Sequence, residues 1–581
     1  MNQQFLIFQL TKNRQIHFQR FPIEPNTSYI IEFEAKATAK AEEKRELYAN
    51  VNFQECKEPY KCYAVKGQKV ELTGEFKKYS ISIKSTESIE TKDKTSSIIC
   101  KLVLSPHLGD YSFKNFIAYR EKNPYLLPSL RAKYENYIIQ IPNSSHFPQE
   151  AHRDFRLFIQ ETESNTQKKL TSFIRETFSD SNFLIVDSQA SYGNALSYER
   201  EYENSSFLDN HQYWQHPWFD KGFSWNRSHY SIQNTPMFSE FKNFGTFKSL
   251  KMLKPFGKPY TISEYNHPFP NDHLHEKFPM FGSWAAFHDW DAIYQFSYDQ
   301  GSIDKNFIDG YFSMATNPID FALAPFLTLA FRKCYVSTSN DYVHVKLPKS
   351  FIRKINEKEV PSMARCLGSN FYAGWPSTFD ISIIENQNSD EIQCESNIDV
   401  NNKNNFITNE IVWNEVGYRV STPKLKTITG FIGNSEKSIL NDLEILKIKL
   451  KLNENLKESA TVGIVSLDDQ NLHNSKKILM VVAGKVKNNG QKWNKERKST
   501  GRIDEGANWG NGPSLVQFIE FDSVFNLIEK NKPDVWTLNC LGEKKEKLEI
   551  QEFIDDNKEK KWRFSSDYSK PSLSFLIERK I

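Results

Sequence analysis

The stretch Gly257-Lys-Pro-Tyr-Thr-Ile-Ser-Glu-Tyr-Asn-His-Pro-Phe-Pro270 decides the fold of the middle of this chain. A Gly and Pro turn opens it, and the β-prone residues that follow predict a short strand that ends in a proline-broken loop. Glu264 therefore lies at the carboxyl end of a buried strand. In barrels and open α/β folds this end carries the chemistry, because the loops beyond it form the pocket mouth. Glu264 is the leading catalytic candidate, and an ordinary ion pair with a nearby Lys or Arg is the alternative.

Two further segments place polar and aromatic groups at strand ends. Upstream, Asp209, His211 and Tyr213 occupy alternate positions of an extended segment, so their side chains share one face. Downstream, residues 289–299 form another strand-like run that ends in an aromatic residue and an acid. A sugar site uses this mixture: carboxylates for proton transfer and nucleophilic attack, His and Tyr to orient them, and aromatic faces for the apolar side of a pyranose.

These motifs resemble a known family. Asp-x-His-x-Tyr-Trp at 209–214, Lys-Pro-Tyr-Thr-Ile-Ser-Glu-Tyr-Asn at 258–266 and Asp-Trp-Asp-Ala-Ile-Tyr-Gln-Phe at 289–296 look like the second half of a clan A glycoside hydrolase (β/α)8 TIM barrel. This is the cellulase and β-galactosidase-like group.

The resemblance implies roles for individual residues. Glu264 would be the nucleophile, and His211 and Tyr213 would orient it. A sugar platform would be Tyr298 or Trp290. The residues implied in substrate binding are Asp209, Trp214, Trp290 and Tyr298. No metal, nucleotide or redox cofactor is implied.

Composition narrows the class of protein. With 39% hydrophobic and 14% aromatic residues, the chain has ample material for cores. A net charge of +3, from 75 basic and 72 acidic residues, gives no sign of a nucleic-acid partner. No apolar run approaches the length of a membrane span, and the start lacks the basic and small-residue features of a secretory signal peptide. We expect a carbohydrate partner, and the compartment stays open.

The 581 residues predict a multidomain chain, α/β in the middle and all-β on both sides. Short alternating segments predict a β-sandwich over residues 1–120, which resembles the carbohydrate-binding modules that accompany glycosidases. No Trp precedes Trp214, so Tyr60 and Tyr63 are the possible sugar contacts there, and a purely structural sandwich is the alternative. Alternating helix and strand patterns predict an incomplete (β/α)8 barrel over 121–335. Residues 336–581 predict a second β-sandwich region.

Within 121–335 the patterns predict two helices, near 148–163 and 168–178, and a buried strand over 182–189. Only four barrel strands are counted, where a complete barrel has eight. The first half of the barrel is therefore missing, and we expect self-association through the open edge of the sheet.

The missing half also removes the expected second carboxylate. A retaining glycosidase needs a general acid and base near its nucleophile, and clan A places it in an Asn-Glu pair that no upstream residue supplies. The three acids Glu199, Glu201 and Glu203 are possible substitutes. A solvated loop is the other interpretation of them.

The seven cysteines are scattered and contain no CxxC pair, so neither a zinc site nor a dense disulfide framework is indicated. Free buried thiols are expected, although Cys56 and Cys62 could form a bridge in an oxidising compartment.

Two functional hypotheses remain. The first is a retaining glycoside hydrolase with weak or no activity, and the second is a non-catalytic carbohydrate-binding or surface protein derived from a degenerate glycosidase.

Overall fold

The computed structural model divides the chain into two compact units, Met1–Glu163 and Ser164–Ile581. The structure describes residues 15–20, 27–39, 47–55, 62–64, 68–86, 98–104, 109–120, 149–178, 182–190, 195–219, 221–222, 224–300, 303–354, 375–385, 391–398, 406–432, 439–443, 445–451, 458–493, 508–526 and 531–580.

The first unit contains two antiparallel sheets. Their strands are β1 (Gln15–Arg20), β2 (Ser28–Ala39), β3 (Tyr48–Glu55), β4 (Gln68–Glu71), β5 (Lys77–Lys84), β6 (Ile98–Leu104) and β7 (Gly109–Arg120). The strand orders are β1-β6-β3-β4 and β5-β2-β7. Alternate residues of β2, among them Ile31, Phe33 and Ala35, point into one apolar core with β3, β5 and β7. Tyr63 is fully buried in this core, which excludes it as a sugar platform, and Tyr60 lies outside the described residues.

The second unit holds most of the helices. They are α1 (Gln149–Thr177), which begins in the first unit, α2 (Ala195–Asn204), α3 (Phe247–Lys251), α4 (Lys277–Phe287), α5 (Pro318–Arg332) and α6 (Lys349–Lys354), with 3-10 turns at Met237–Ser239 and Leu274–Glu276. The single helix α1 replaces the two helices expected from the sequence. Residues 164–167 between the two expected segments contain no Gly or Pro, so nothing in the sequence breaks the helix there.

The strands of the second unit begin at residue 208. They are β8 (Leu208–Tyr213), β9 (Trp218–Phe219), β10 (Tyr230–Ser231), β11 (Tyr260–Asn266), β12 (Ala292–Gln295), β13 (Tyr342–Pro348), β14 (Thr378–Ile384), β15 (Gln393–Ser396), β16 (Phe406–Ile407), β17 (Ile411–Asn414), β18 (Gly417–Ser421), β19 (Leu425–Gly430), β20 (Ile439–Leu443), β21 (Leu446–Lys451), β22 (Ala460–Ser466), β23 (Lys477–Ala483), β24 (Val486–Asn489), β25 (Asn511–Val516), β26 (Glu520–Phe525), β27 (Asp534–Leu538), β28 (Lys544–Lys547), β29 (Gln551–Ile554), β30 (Lys560–Ser565) and β31 (Ser574–Glu578).

A parallel sheet in the order β12-β11-β8 carries the predicted site residues. Helix α4 is buried along its whole length, which explains its largely apolar sequence, and its buried Lys277 is paired with Asp320 at 2.7 Å. Whether this sheet is part of an incomplete (β/α)8 barrel stays a prediction, as do the domain limits at 120 and 335.

The segment 182–189 is not the buried strand that its apolar run predicts. It joins β8 only through an isolated parallel bridge between Gln189 and Asp209. Phe183 is 44% exposed and Leu184 is 67% exposed. A continuous apolar run predicts burial on both faces, but no residue of 182–189 is buried. Self-association through this open edge stays a prediction.

The region after residue 335 is more varied than one sandwich. Strands β13 and β14 are parallel, and β15 joins β13 in the antiparallel direction. A parallel pair requires a crossover connection, which an antiparallel sandwich does not have. Beyond residue 405, antiparallel sheets in the orders β16-β17-β18-β19-β22-β23-β31-β27-β28 and β20-β21-β26-β30-β29 share one apolar core.

The cysteines differ from the expected free buried thiols. Cys62, Cys334 and Cys540 are free but exposed. Cys394 is in a disulfide. Spacing alone did not indicate either feature, because a thiol's exposure and partner depend on tertiary structure. Cys56 lies outside the described residues.

Across the described helices, none is both long and apolar enough to cross a membrane.

Buried histidines tie the turn before α4 to the C-terminal sheets. His273 Nδ1 lies 2.7 Å from Ser459 Oγ, and His275 Nε2 lies 2.9 Å from the same hydroxyl. Burial lowers the pKa of His273 to about 4 and holds the pKa of His275 well below its usual range. Both imidazoles are therefore neutral at pH 7, which lets one hydroxyl serve as donor to one ring and acceptor from the other.

We expect the free energy of unfolding to decrease as the pH falls from 6.5 to about 4. The unfolded chain takes up these protons near pH 6.5, whereas the folded chain resists uptake until lower pH. The stabilisation is therefore complete above pH 6.5, and His273 alone accounts for roughly 3 kcal/mol of the loss. Glu276 opposes this trend, because burial raises its pKa to about 8. It is outnumbered by His267, His273 and His275, whose pKa values are all lowered.

Urea unfolding across this pH range is the measurement. His273→Asn should flatten the dependence, since it removes one titrating ring and keeps an amide donor. His473→Asn, at an exposed position, is the matched control and should leave the dependence unchanged. A slope that His273→Asn does not alter would contradict the assignment.

Candidate functional site

The central strand β11 brings the predicted residues together through its pairing with β8. The two strands are parallel, and the register sets Glu264 against His211 and Asn266 against Tyr213. Parallel strands end at the same edge of a sheet, so their terminal side chains meet there. The sequence places these groups in separate segments about fifty residues apart, and the register makes them neighbours.

An irregularity in β11 aims Glu264 at the site. The register shifts between Ile262 and Glu264, so Ser263 is an extra residue in the ladder. In a regular strand Ser263 and Glu264 would point to opposite faces. The shift acts as a β-bulge, which re-aims the side chain that follows it. As a result Ser263 reaches Asp209 and Glu264 reaches His211 and Tyr213.

The Glu264 carboxylate is held by two side chains of β8. The Tyr213 hydroxyl donates to Glu264 Oε2 at 2.5 Å, and His211 Nδ1 lies 3.4 Å from the same oxygen. Burial, and then the hydrogen bond to Glu264, raises the pKa of Tyr213 well above its usual range. The phenol therefore keeps its proton and remains a donor. Glu264 is 31% exposed, so a bound molecule can reach it.

Asp209 and Ser263 contact the second ring nitrogen of His211, the one that does not face Glu264. His211 Nε2 lies 2.9 Å from Ser263 Oγ and 3.2 Å from Asp209 Oδ2. The buried Asp209 accepts hydrogen bonds from Ser263 N at 3.0 Å, Ser263 Oγ at 2.6 Å and Thr261 Oγ1 at 2.5 Å. Asp209 thus positions other groups. The family resemblance implies that Asp209 contacts the substrate, but its burial does not favour that contact.

Aromatic rings border this network. The Tyr213 ring lies 4.8 Å from the Phe312 ring and 5.9 Å from the Phe296 ring. Asn266 Nδ2 donates to the carbonyl oxygens of both phenylalanines, at 3.0 Å and 2.5 Å respectively, which fixes these segments against the strand ends. Tyr298 follows Phe296 by two residues and is 59% exposed. Its ring is available to a ligand.

Two of the implied substrate residues lie elsewhere. Trp290 is buried, with its ring 5.8 Å from Tyr260, so it is a core residue and not a sugar platform. It precedes the start of β12 and packs at the amino end of the sheet, opposite the end that carries Glu264. Trp214 lies in the turn that follows β8. Its Nε1 donates to Thr235 O at 2.9 Å.

The three acids considered as a second carboxylate are engaged away from this site. They lie on helix α2 instead of a solvated loop, and Glu199 and Glu201 are fully buried. Glu201 accepts from Ser205 Oγ at 2.6 Å, and Glu199 pairs with Arg353 at 3.0 Å. Glu203 pairs with Lys349 at 2.5 Å. Their spacing at i, i+2 and i+4 does not distinguish a loop from a helix with partners on several sides.

Sequence reasoning missed Ser263, Asn266 and Phe312. Ser263 and Asn266 stand beside Glu264 in the quoted stretch, and their polar side chains were a usable signal. Phe312 had no local signal, because its position depends on the carbonyl contact with Asn266.

Asp209→Asn should lower the free energy of unfolding by about 1.5–3 kcal/mol, since it weakens three hydrogen bonds to a buried carboxylate. Urea denaturation measures the change. Asp304→Asn, at an exposed position, is the matched control and should stay within about 0.5 kcal/mol of wild type. Equal effects in the two variants would show that Asp209 does not hold the strand ends together.

The comparisons with known proteins are limited. No family model matches the chain, and no curated protein matches it. Solved structures that match include one titled "CBM4 structure and function", 16% identical, which covers 18% of this chain and 60% of that chain with a TM-score of 0.14. Another is the N-terminal cellulose-binding domain of Cellulomonas fimi β-1,4-glucanase C, 12% identical, with 19% and 70% coverage and a TM-score of 0.15. TM-scores this low carry no argument about this chain, and the clan A resemblance stays a prediction.

Proposed function

We propose that the chain binds a carbohydrate at the strand ends around Glu264. The observation that supports this is the combination of a held, partly exposed carboxylate with aromatic rings at one edge of the parallel sheet. A carboxylate accepts hydrogen bonds from sugar hydroxyls, and an imidazole can accept them or donate them. An exposed phenol ring such as that of Tyr298 offers an apolar face to the C–H side of a pyranose.

Binding of neutral hexaoses of β-linked glucose, mannose and galactose, measured by calorimetry on the full chain, tests this proposal. Tyr298→Ala should weaken the binding of the preferred hexaose about tenfold, because an aromatic contact contributes about 0.5–1.5 kcal/mol beyond its buried area. Tyr294→Ala is the matched control, since Tyr294 is 57% exposed on β12 and Tyr298 is 59% exposed. Identical losses in the two variants, or no binding by wild type, would argue against a sugar site here.

A second candidate is retaining glycoside hydrolysis with Glu264 as nucleophile. The contact that favours it is the hydrogen bond from Tyr213, which orients one carboxylate oxygen. In this reaction Glu264 forms a bond to the anomeric carbon while the glycosidic C–O bond breaks and its electrons leave with the aglycone. Water then attacks the anomeric carbon, releases Glu264, and gives up a proton. Together with this second function we propose the fold that the family resemblance implies, an incomplete (β/α)8 barrel flanked by β-sandwiches.

Activated aryl glycosides test this second candidate, because a nitrophenolate leaves without a general acid. Glu264→Gln should abolish turnover with little change in thermal stability, since it removes a charge and almost no volume. Tyr213→Phe should lower kcat more than it changes KM, because orientation matters most in the transition state. Turnover that survives Glu264→Gln would remove Glu264 from the mechanism and would leave the binding proposal intact.

A further inference from the structure

A cleft lies on the side of β8 that faces away from Glu264. Gln212 stands between His211 and Tyr213, and side chains alternate along a strand, so Gln212 points away from the site just described. Its Nε2 donates to Ser249 Oγ on α3 at 3.1 Å. Gln212 lines an open cleft of about 790 Å³. This volume lies within the range of about 300–1,000 Å³ that small-molecule sites occupy.

The aromatic walls of this cleft are fixed by contacts outside it. Trp214 donates through Nε1 to Thr235 O at 2.9 Å. Trp218 pairs with Ser231 in the two-stranded β9–β10 ladder. The Trp218 side chain is nevertheless 74% exposed. A large indole held by its backbone and bare to solvent is a ready stacking surface for a sugar ring.

A glycine in the lining lets the backbone of the cleft pack closely against Met237. Gly245 lines the cleft with a φ of +48°, and a Cβ there would lie 2.5 Å from Met237 Cγ. The close approach of this backbone to Met237, and to the Trp214 ring behind it, therefore requires a residue with no side chain.

The polar lining is rich in amides and carries one acid. Gln233 and Asn243 line the cleft beside Glu240, and Asn243 Nδ2 lies 3.4 Å from Glu240 Oε2. Among the described residues that line the cleft there is no Lys or Arg, and Glu240 is the one carboxylate. A negatively charged ligand would meet this carboxylate without a cation to offset it, whereas an ammonium group would be attracted.

We propose that this cleft is a second glycan site, which adjoins the Glu264 site at His216, whose ring lies 5.3 Å from the Tyr213 ring. It takes neutral and amino sugars and disfavours uronic acids. One sugar ring stacks on Trp218, and the amides of Gln233 and Asn243 bond to hydroxyls. The Glu240 carboxylate receives the ammonium group of a 2-amino sugar. The proposal does not depend on catalysis at Glu264, since none of these side chains contacts that carboxylate.

The test compares three probes on the full chain by calorimetry: the β-1,4-linked hexaoses of glucosamine and glucose, and the hexaose of galacturonic acid. The contribution of the cleft is the binding lost in Trp218→Ala, and Tyr568→Ala is the control because it removes an 82% exposed aromatic ring outside the lining. Glucosamine hexaose should bind the cleft about two- to five-fold more tightly than glucose hexaose, the range of an exposed ion pair. Galacturonic acid hexaose should bind the cleft about two- to five-fold more weakly than glucose hexaose, by the same range.

Glu240→Gln should abolish the preference for glucosamine hexaose and leave the affinity for glucose hexaose within about two-fold, because the amide keeps the size of the side chain. Three results would overturn the proposal: equal losses in Trp218→Ala and Tyr568→Ala, cleft binding of galacturonic acid hexaose as tight as that of glucose hexaose, or a glucosamine preference that persists in Glu240→Gln. The Tyr298→Ala variant reports on the Glu264 site alone, so failure of the proposed function can be told apart from failure of the cleft.

Discussion

The extra residue in β11 is the constraint on which the Glu264 site depends. Parallel pairing with β8 brings the strand ends to one edge, but pairing alone would leave Ser263 and Glu264 on opposite faces. The bulge places both on the face that carries Asp209, His211 and Tyr213. Each side chain then finds a partner: hydroxyls bind Asp209, the imidazole lies between two carboxylates, and the phenol holds Glu264.

Sequence patterns predicted this site better than they predicted its surroundings. The alternation of Asp209, His211 and Tyr213, and the position of Glu264 at a strand end, follow from the residues because strand periodicity is a local property. The bulge was not predictable, since it depends on which partner strand the segment meets. Trp290 shows the same limit. A strand-like sequence does not reveal where its strand begins. Trp290 precedes the first paired residue of β12, so it lies at the end of the sheet opposite to Glu264.

Burial explains other differences from expectation. The apolar run at 182–189 predicts two covered faces, whereas none of its residues is buried. In contrast, the largely apolar sequence of α4 is matched by complete burial. The hydrophobic pattern of a segment indicates how much apolar surface the segment has, but it does not predict which other residues cover that surface. The buried histidines show a further gap, because burial lowers their pKa values and the hydroxyl groups that they contact lie 186 residues along the chain.

The uncovered apolar residues have a consequence for the life of this chain in a cell. Between residues 170 and 184 the exposed large side chains are Leu170, Phe173, Phe178, Phe183 and Leu184. Chaperones and proteases bind exposed apolar side chains, which usually mark unfolded protein. The described part of the folded chain carries this mark. We expect its cellular abundance to depend on how quickly a partner surface or quality-control factor reaches these residues, more than on its free energy of unfolding.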